Sequence, residues 1–423
     1  MNIPANFPLH RLFAYLILMA SLSLTGLRAQ DVPEVLRLTK GIRVKTVDEW
    51  ERIRRPEILE LFRSTMYGHS PGKPDSFSFR MLSSDDTALE GKATRRQVRV
   101  YFDADTTIRM DILMYLPNSR QGPVPVFVGL NFYGNQIASS DPAILITDQW
   151  VPDNDSFGIA EHRATEKSRG VRTSRWPVER ILERGYGVAT IYCGDLDPDF
   201  HDGFKNGVHS LFDKRERNES SWGTIAAWAW GLQRAMDYFE TDDDVDLSKV
   251  AVLGHSRLGK AALWAGAQDT RFAMVISNDS GEGGAALSRN EKGESLKDIT
   301  TNFPHWFCGK YASYAGKVDE LPLDQHMLLS LIAPRLLYVA SATEDLWADP
   351  EGEFLSARLA GPVYKLYDRK GLATKKMPHP DTPVQEGSIG YHLRTGKHDI
   401  TPYDWDRYMD FADKQWRNRE IGK

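Results

Sequence analysis

Only two cysteines, Cys193 and Cys308, occur in 423 residues. That scarcity excludes a disulfide framework and a cysteine-based zinc site. An excess of positive charge is also missing, because 53 Lys and Arg stand against 58 Asp and Glu for a formal charge of -5. Such a balance offers no general attraction to phosphate backbones or anionic lipid, so no nucleic-acid partner is expected. The chain has no Gly/Ser linker, repeat or low-complexity tract. Its 41% hydrophobic and 26% charged residues are those of a globular protein and exclude disorder, collagen and a multispan membrane protein. One apolar run, 12–27, follows Arg11 and closes on Leu27, Arg28 and Ala29. A basic start, a short hydrophobic stretch and a small residue before the cut predict a signal peptide over 1–29. A membrane anchor is the rival reading, but the run is short and contains Ser21, Ser23, Thr25 and Gly26. The expectation is an exported protein, periplasmic or extracellular, with no stable membrane association once the signal is removed. In that compartment Cys193 and Cys308 either pair or stay buried and free.

Hydrophobic periodicity gives the fold class. Residues 97–102 alternate apolar and polar, as a half-buried strand does, and 110–116 and 124–130 continue the β signal. The runs 188–192, 250–253, 274–276 and 336–340 lack alternation and lie between helical stretches, so they read as buried parallel strands. Residues 222–239 place Trp222, Ile225, Ala229, Leu232 and Met236 on one helical stripe, with Gln233 and Arg234 off it. Strands alternating with helices predict an α/β protein built on a doubly wound, mostly parallel sheet flanked by helices. A single domain over 30–423 is the economical division. The longest insertions, 134–178 and 195–221, both follow strands, at the edge where such folds build their sites.

The run 250–253 leads into Gly254, His255, Ser256, Arg257, Leu258, Gly259 and Lys260, and an Ala-rich helix follows. A serine wedged between strand and helix needs a tight turn with small neighbours, so that its hydroxyl projects above the sheet edge. Gly254 meets that need. Two residues after the serine, Leu258 replaces the glycine of the G-x-S-x-G pattern, and Gly259 comes one place later. The plainer reading of Ser256 is a helix cap. A hydroxyl attacks only beside a base, which in turn needs an orienting carboxylate. In α/β-hydrolases the order is Ser, acid, His. Asp345 lies in the loop after strand 336–340, and His398 follows a final strand near 390–393, ahead of an amphipathic C-terminal helix.

Six separated motifs occur in a fixed order: Gly254-His-Ser-Arg-Leu-Gly-Lys260, Asn278-Asp-Ser-Gly281, Phe303-Pro-His-Trp-Phe307, Ala333-Pro-Arg335, Glu344-Asp-Leu-Trp-Ala-Asp-Pro350 and Gly396-Lys-His-Asp399. Together they resemble the bacterial branch of the glucuronoyl esterases, carbohydrate esterase family 15, over about 123–411. The resemblance implies an α/β-hydrolase fold and a serine esterase with no cofactor and no metal. Its implied partner is glucuronoxylan, whose (4-O-methyl)-glucuronic acid is esterified to lignin alcohols; a monomer is expected. Ser256 would be the nucleophile and His398 the base. The Arg257 backbone N–H and guanidinium would meet the developing oxyanion, compensating for the missing HGG-type loop at Asn131, Phe132, Tyr133 and Gly134. Some family members carry a Glu before the Ser-Gly pair, where this chain has Asp279, one methylene shorter. Asp345 is preferred as the acid, and Asp279 stays open as the alternative or as a second contact to the base.

For the substrate, Lys260 lies one helical turn from Ser256 and is placed to donate to sugar hydroxyls. Trp347, two residues past Asp345, is expected to stack on the pyranose. Glu294 matches a family residue that accepts from ring hydroxyls; without the resemblance it reads as solvated. Asp195, Asp197, Asp199 and Asp202 imitate a calcium loop but lack its sixth-position Gly and closing Glu. Asp242, Asp243, Asp244 and Asp246 read as a solvated turn. The eleven tryptophans raise a non-enzymatic carbohydrate-binding module as a rival, which the βα alternation opposes. An acetyl-xylan or general carbohydrate esterase with the same triad is the enzymatic rival.

Overall fold

The computed structural model describes residues 32–103, 106–212 and 216–421, with side chains to 416. The expected signal peptide lies outside the described residues. Nine strands form one sheet in the order β1-β2-β3-β5-β4-β6-β7-β8-β9. They are β1 (Ser78–Ala88), β2 (Ala93–Tyr101), β3 (Arg109–Pro117), β4 (Val124–Asn131), β5 (Gly187–Tyr192), β6 (Val245–His255), β7 (Met274–Asn278), β8 (Leu336–Ala342) and β9 (Ile389–Arg394). The first three pair antiparallel, and β3 meets β5 antiparallel. From β5 through β9 every pairing is parallel. The chain thus runs from β4 to β5 on one side and then to β6 on the other. That reversal of direction leaves a crevice at the carboxyl ends of the strands, where open α/β sheets bind ligands.

Helices cover both faces: α1 (Arg55–Phe62), α2 (Val178–Glu183), α3 (Thr224–Phe239), α4 (Arg257–Gln268), α5 (Pro350–Leu359) and α6 (Pro402–Ile421). Alternate strand residues serve two cores. Val126, Val128, Val250, Val252 and Val275 pack with α3 and α4, whereas Phe127, Ala251, Leu253, Met274 and Ile276 pack with α2 and α6. Burial on both faces is why these strands read as unbroken apolar runs.

Two sequence expectations change. Arg234 is buried on α3, because Asp237 accepts from its Nε at 2.6 Å and its guanidinium lies over Trp230. The aspartates at 242 and 244 are not simply solvated: they bind Arg96, and Asp244 also binds Arg120. Cys193 and Cys308 are buried and free. Among the described residues, no helix is long and apolar enough to cross a membrane.

Candidate active site

Strand β6 ends at His255 and α4 begins at Arg257, so Ser256 alone makes the corner, with φ 58° and ψ -132°. A non-glycine residue holds such a backbone only when its surroundings enforce it. The Ser256 N–H donates to the Asn278 carbonyl at 2.9 Å, and the Ser256 carbonyl accepts from Gly259 N at 2.8 Å. Gly254 is indispensable here: a Cβ on it would lie 2.0 Å from the Leu258 carbonyl oxygen. Gly259 closes the turn against Ser280, whose Cβ would be 2.9 Å from an added methyl. The shifted glycine of the sequence therefore serves packing of α4 on the β7 loop. Ser256 sits directly before the first turn of α4, the positive end of the helix dipole.

The loops after β8 and β9, which carry Asp345 and His398, are joined to each other. Thr343 N donates to the Arg394 carbonyl and Glu344 N to the Gly396 carbonyl, both at 2.9 Å. Arg394 Nη2 donates to the Lys397 and Asp399 carbonyls, at 2.7 and 3.0 Å, on either side of His398. Against this frame, His398 Nδ1 lies 2.5 Å from Asp345 Oδ2. Asp345 is buried and His398 half-exposed. An ionised carboxylate accepts only, so Nδ1 carries the proton and Nε2 is left to take one. The neighbouring His255 is the opposite case. Burial, with the charges of His398 and Arg175, pushes its imidazole well below the usual range, so it stays neutral beside Asn278.

Asp279 lies close by but is differently placed. It follows β7 with φ 45°, and neither carboxyl oxygen has a hydrogen-bond partner. Its nearest cation is Arg394, at 3.9 Å. Burial raises its pKa well above the carboxylate range, and the charges of Glu353, Asp345 and Asp404 add to the shift. That environment favours its protonated form. Asp279, Asp345 and His398 together bring one potential metal-ligating atom each within 4.8 Å of the others. Within that group, His398 Nδ1 and Asp345 Oδ2 are already paired with each other.

Ser256, Arg257, Lys260, Asp279, Glu294, Asp345, Trp347 and His398 line one cavity of about 340 Å³. The structure thus brings every sequence-predicted site residue together. Lys260 is buried, and its Nζ donates to the Ser280 carbonyl. Burial brings its ammonium down to about 8, against the opposing pull of Glu294, Glu282 and Glu353. Burial raises the Glu294 carboxyl, partly countered by Lys260, so its solvated reading without the resemblance does not hold. Trp347 is 57% exposed at the rim. Sequence reasoning gave no role to Phe303 and Trp306, which also line the cavity, although both stand in the 303–307 motif. It also set Asp199 aside as part of a false calcium loop. Asp199 instead pairs with Arg257.

Comparison with known proteins finds close relatives of the whole fold. The family model described as glucuronyl esterase, fungi, matches residues 203–368. A carbohydrate esterase of an unknown prokaryotic organism is 50% identical over 386 residues, covering 90% of this chain and 89% of that one. A solved CE15 esterase from a marine bacterial metagenome, described as promiscuous, has 50% identity and a TM-score of 0.85, covering 90% of this chain and 96% of that one. A glucuronoyl esterase from Solibacter usitatus has 48% identity and a TM-score of 0.86, covering 91% of this chain and 98% of that one. With identity of this order over nearly the whole fold, the chain belongs to carbohydrate esterase family 15.

Proposed function

We propose that this protein is a serine esterase that cleaves the ester between (4-O-methyl)-glucuronic acid of glucuronoxylan and lignin alcohols through an acyl-enzyme. The observation that carries the reading is the 2.5 Å pairing of Asp345 with His398 in one cavity with Ser256 and two cations, Arg257 and Lys260. His398 Nε2 takes the Ser256 proton as Oγ attacks the uronoyl carbon. The carbonyl oxygen becomes an oxyanion, met by the Arg257 N–H and guanidinium. Collapse expels the alcohol, which receives the proton from His398. Water then repeats the sequence on the acyl-serine and releases the uronic acid. Lys260, Glu294 and Trp347 read the sugar. Asp345 acts as the acid that orients His398, and Asp279, whose charged form burial disfavours, lies beside it. The chain works as a monomer outside the cytoplasm, directed there by residues 1–29.

The test compares the benzyl ester of glucuronic acid with 4-nitrophenyl acetate on the purified protein. Preference for the glucuronate ester supports the reading, and Ser256→Ala abolishes that turnover while leaving the melting curve intact. Removal of a triad nucleophile costs on the order of 10⁶ in rate. A relative at 50% identity is described as promiscuous, which keeps a general carbohydrate esterase as the second reading. Acetate turning over far faster than the uronate would favour it. An acetyl ester puts the sugar on the alcohol side and leaves the cationic acyl pocket without a task.

A further inference from the structure

We propose that Asp199 is the positioning residue for Arg257, and that His305 and Trp306 hold Asp199 in that task. The inference rests on the reading of Arg257 as a side-chain donor to the oxyanion. A long guanidinium arm helps a transition state only if it is already in place when charge develops. Arg257 starts α4, and its backbone does not fix its tip. Asp199, 58 residues earlier in the loop after β5, accepts from Arg257 Nη1 through Oδ2. Its other oxygen accepts from Trp306 Nε1 at 2.7 Å and has His305 Nε2 at 3.0 Å.

Burial alone would raise the Asp199 carboxyl. The His305 bond, the Arg257 charge and the Trp306 bond reverse that and hold it down to about 2. An ionised carboxylate takes donors only, so His305 carries its proton on Nε2. The two holders are themselves pinned, because the His305 and Trp306 carbonyls accept from Thr224 and Ile225 N at the start of α3. Aromatic rings confine the guanidinium sideways: Trp306 at 4.9 Å, Phe132 at 5.6 Å and Phe303 at 5.7 Å. Trp306 and Phe303 stack at 3.8 Å and 3°. Only Nη1 is committed to the carboxylate among the described residues; Nε is buried without a partner. The clamp thus fixes the arm and leaves donors for an oxyanion, at the cost of some cancelled charge.

The experiment is a double-mutant cycle with the benzyl ester of glucuronic acid, reading kcat and KM separately beside thermal melts. Loss of one oxyanion donor costs about 10² to 10³ in kcat, which sets the expectation for Arg257→Met. Asp199→Asn is expected to lower kcat by about tenfold or more with KM within about threefold. In the Arg257→Met background it adds no more than about twofold, since its route of action is gone. His305→Ala should act in the same direction, and His305→Gln, which keeps an N–H donor, should recover most of the loss. If Asp199→Asn does not fold, this histidine pair carries the same cycle with the carboxylate in place. A costly Arg257→Met combined with silent or additive effects at Asp199 and His305 overturns this inference alone. An Arg257→Met enzyme with full kcat overturns the reading of Arg257 beneath it.

Discussion

Asp345 and Asp279 have opposite electrostatic circumstances, and isosteric amides at the two positions separate their roles. In Asp345→Asn the new amide N–H would face His398 Nδ1 across the 2.5 Å contact. That donor stabilises the tautomer with its proton on Nε2, which is unable to accept from Ser256. In a related triad the same change costs on the order of 10⁴ in kcat, equivalent to about 5.4 kcal/mol of barrier. Asp279→Asn replaces an unbonded acid whose charged form burial disfavours by a neutral group of the same shape, so kcat should fall less than about tenfold. Stability supplies a second readout. The Asp279 pKa is raised in the folded state, so its contribution is fully present below the unfolded value and fades as pH rises through the folded one. Asp279→Asn removes that loss, and its melting temperature relative to the parent should climb as pH rises above the unfolded carboxylate range. The assay is steady-state kcat by pH-stat on the benzyl ester at pH 7, with melts across the pH range. Inactivity of Asp279→Asn beside an active Asp345→Asn would refute the assignment.

Three further outcomes are expected. With Lys260 at about 8, its charged donor is present below that pH and lost above it. KM for the glucuronate ester should therefore rise as pH passes about 8, and Lys260→Met should raise KM at neutral pH and flatten the profile. Trp347→Ala removes a half-exposed ring, so KM should rise about three- to tenfold while stability stays within about 0.5 kcal/mol; a large drop in melting temperature would assign the ring to packing instead. Gly254→Ala forces a methyl against the Leu258 carbonyl at 2.0 Å and should lower the melting temperature by more than about 5 °C; a fully stable variant would contradict the tight-turn account.

The parallel strands were legible because burial on both faces leaves apolar runs such as 250–253, flanked by helical spacing. Strand β1 was not: it lies at the sheet edge, largely exposed, and register shifts near Met81 and Asp85 break its alternation. Ser256, Asp345 and His398 were visible because each follows a strand of the central sheet, so chain order stood in for spatial order. Arg234 and Asp199 were misread for a shared reason. Each is a charged residue whose burial depends on a partner, and nothing local marks the 58-residue separation between Asp199 and Arg257. Lys260 was placed correctly by helical spacing, but its burial arises from Ser280 and the acidic side chains around it.

The two cations of the cavity treat the start and finish of a turnover unequally. A uronate ester enters uncharged, whereas the liberated acid leaves as an anion. At 4 Å, attraction between unit charges is about 1 kcal/mol in water and about 4 kcal/mol near a protein surface, and Asp199 and Glu294 offset part of it. The product is therefore expected to be held more tightly than the reactant, and added glucuronate should inhibit turnover with an inhibition constant below KM. As Lys260 gives up its proton above about 8, that inhibition should weaken together with capture of the ester.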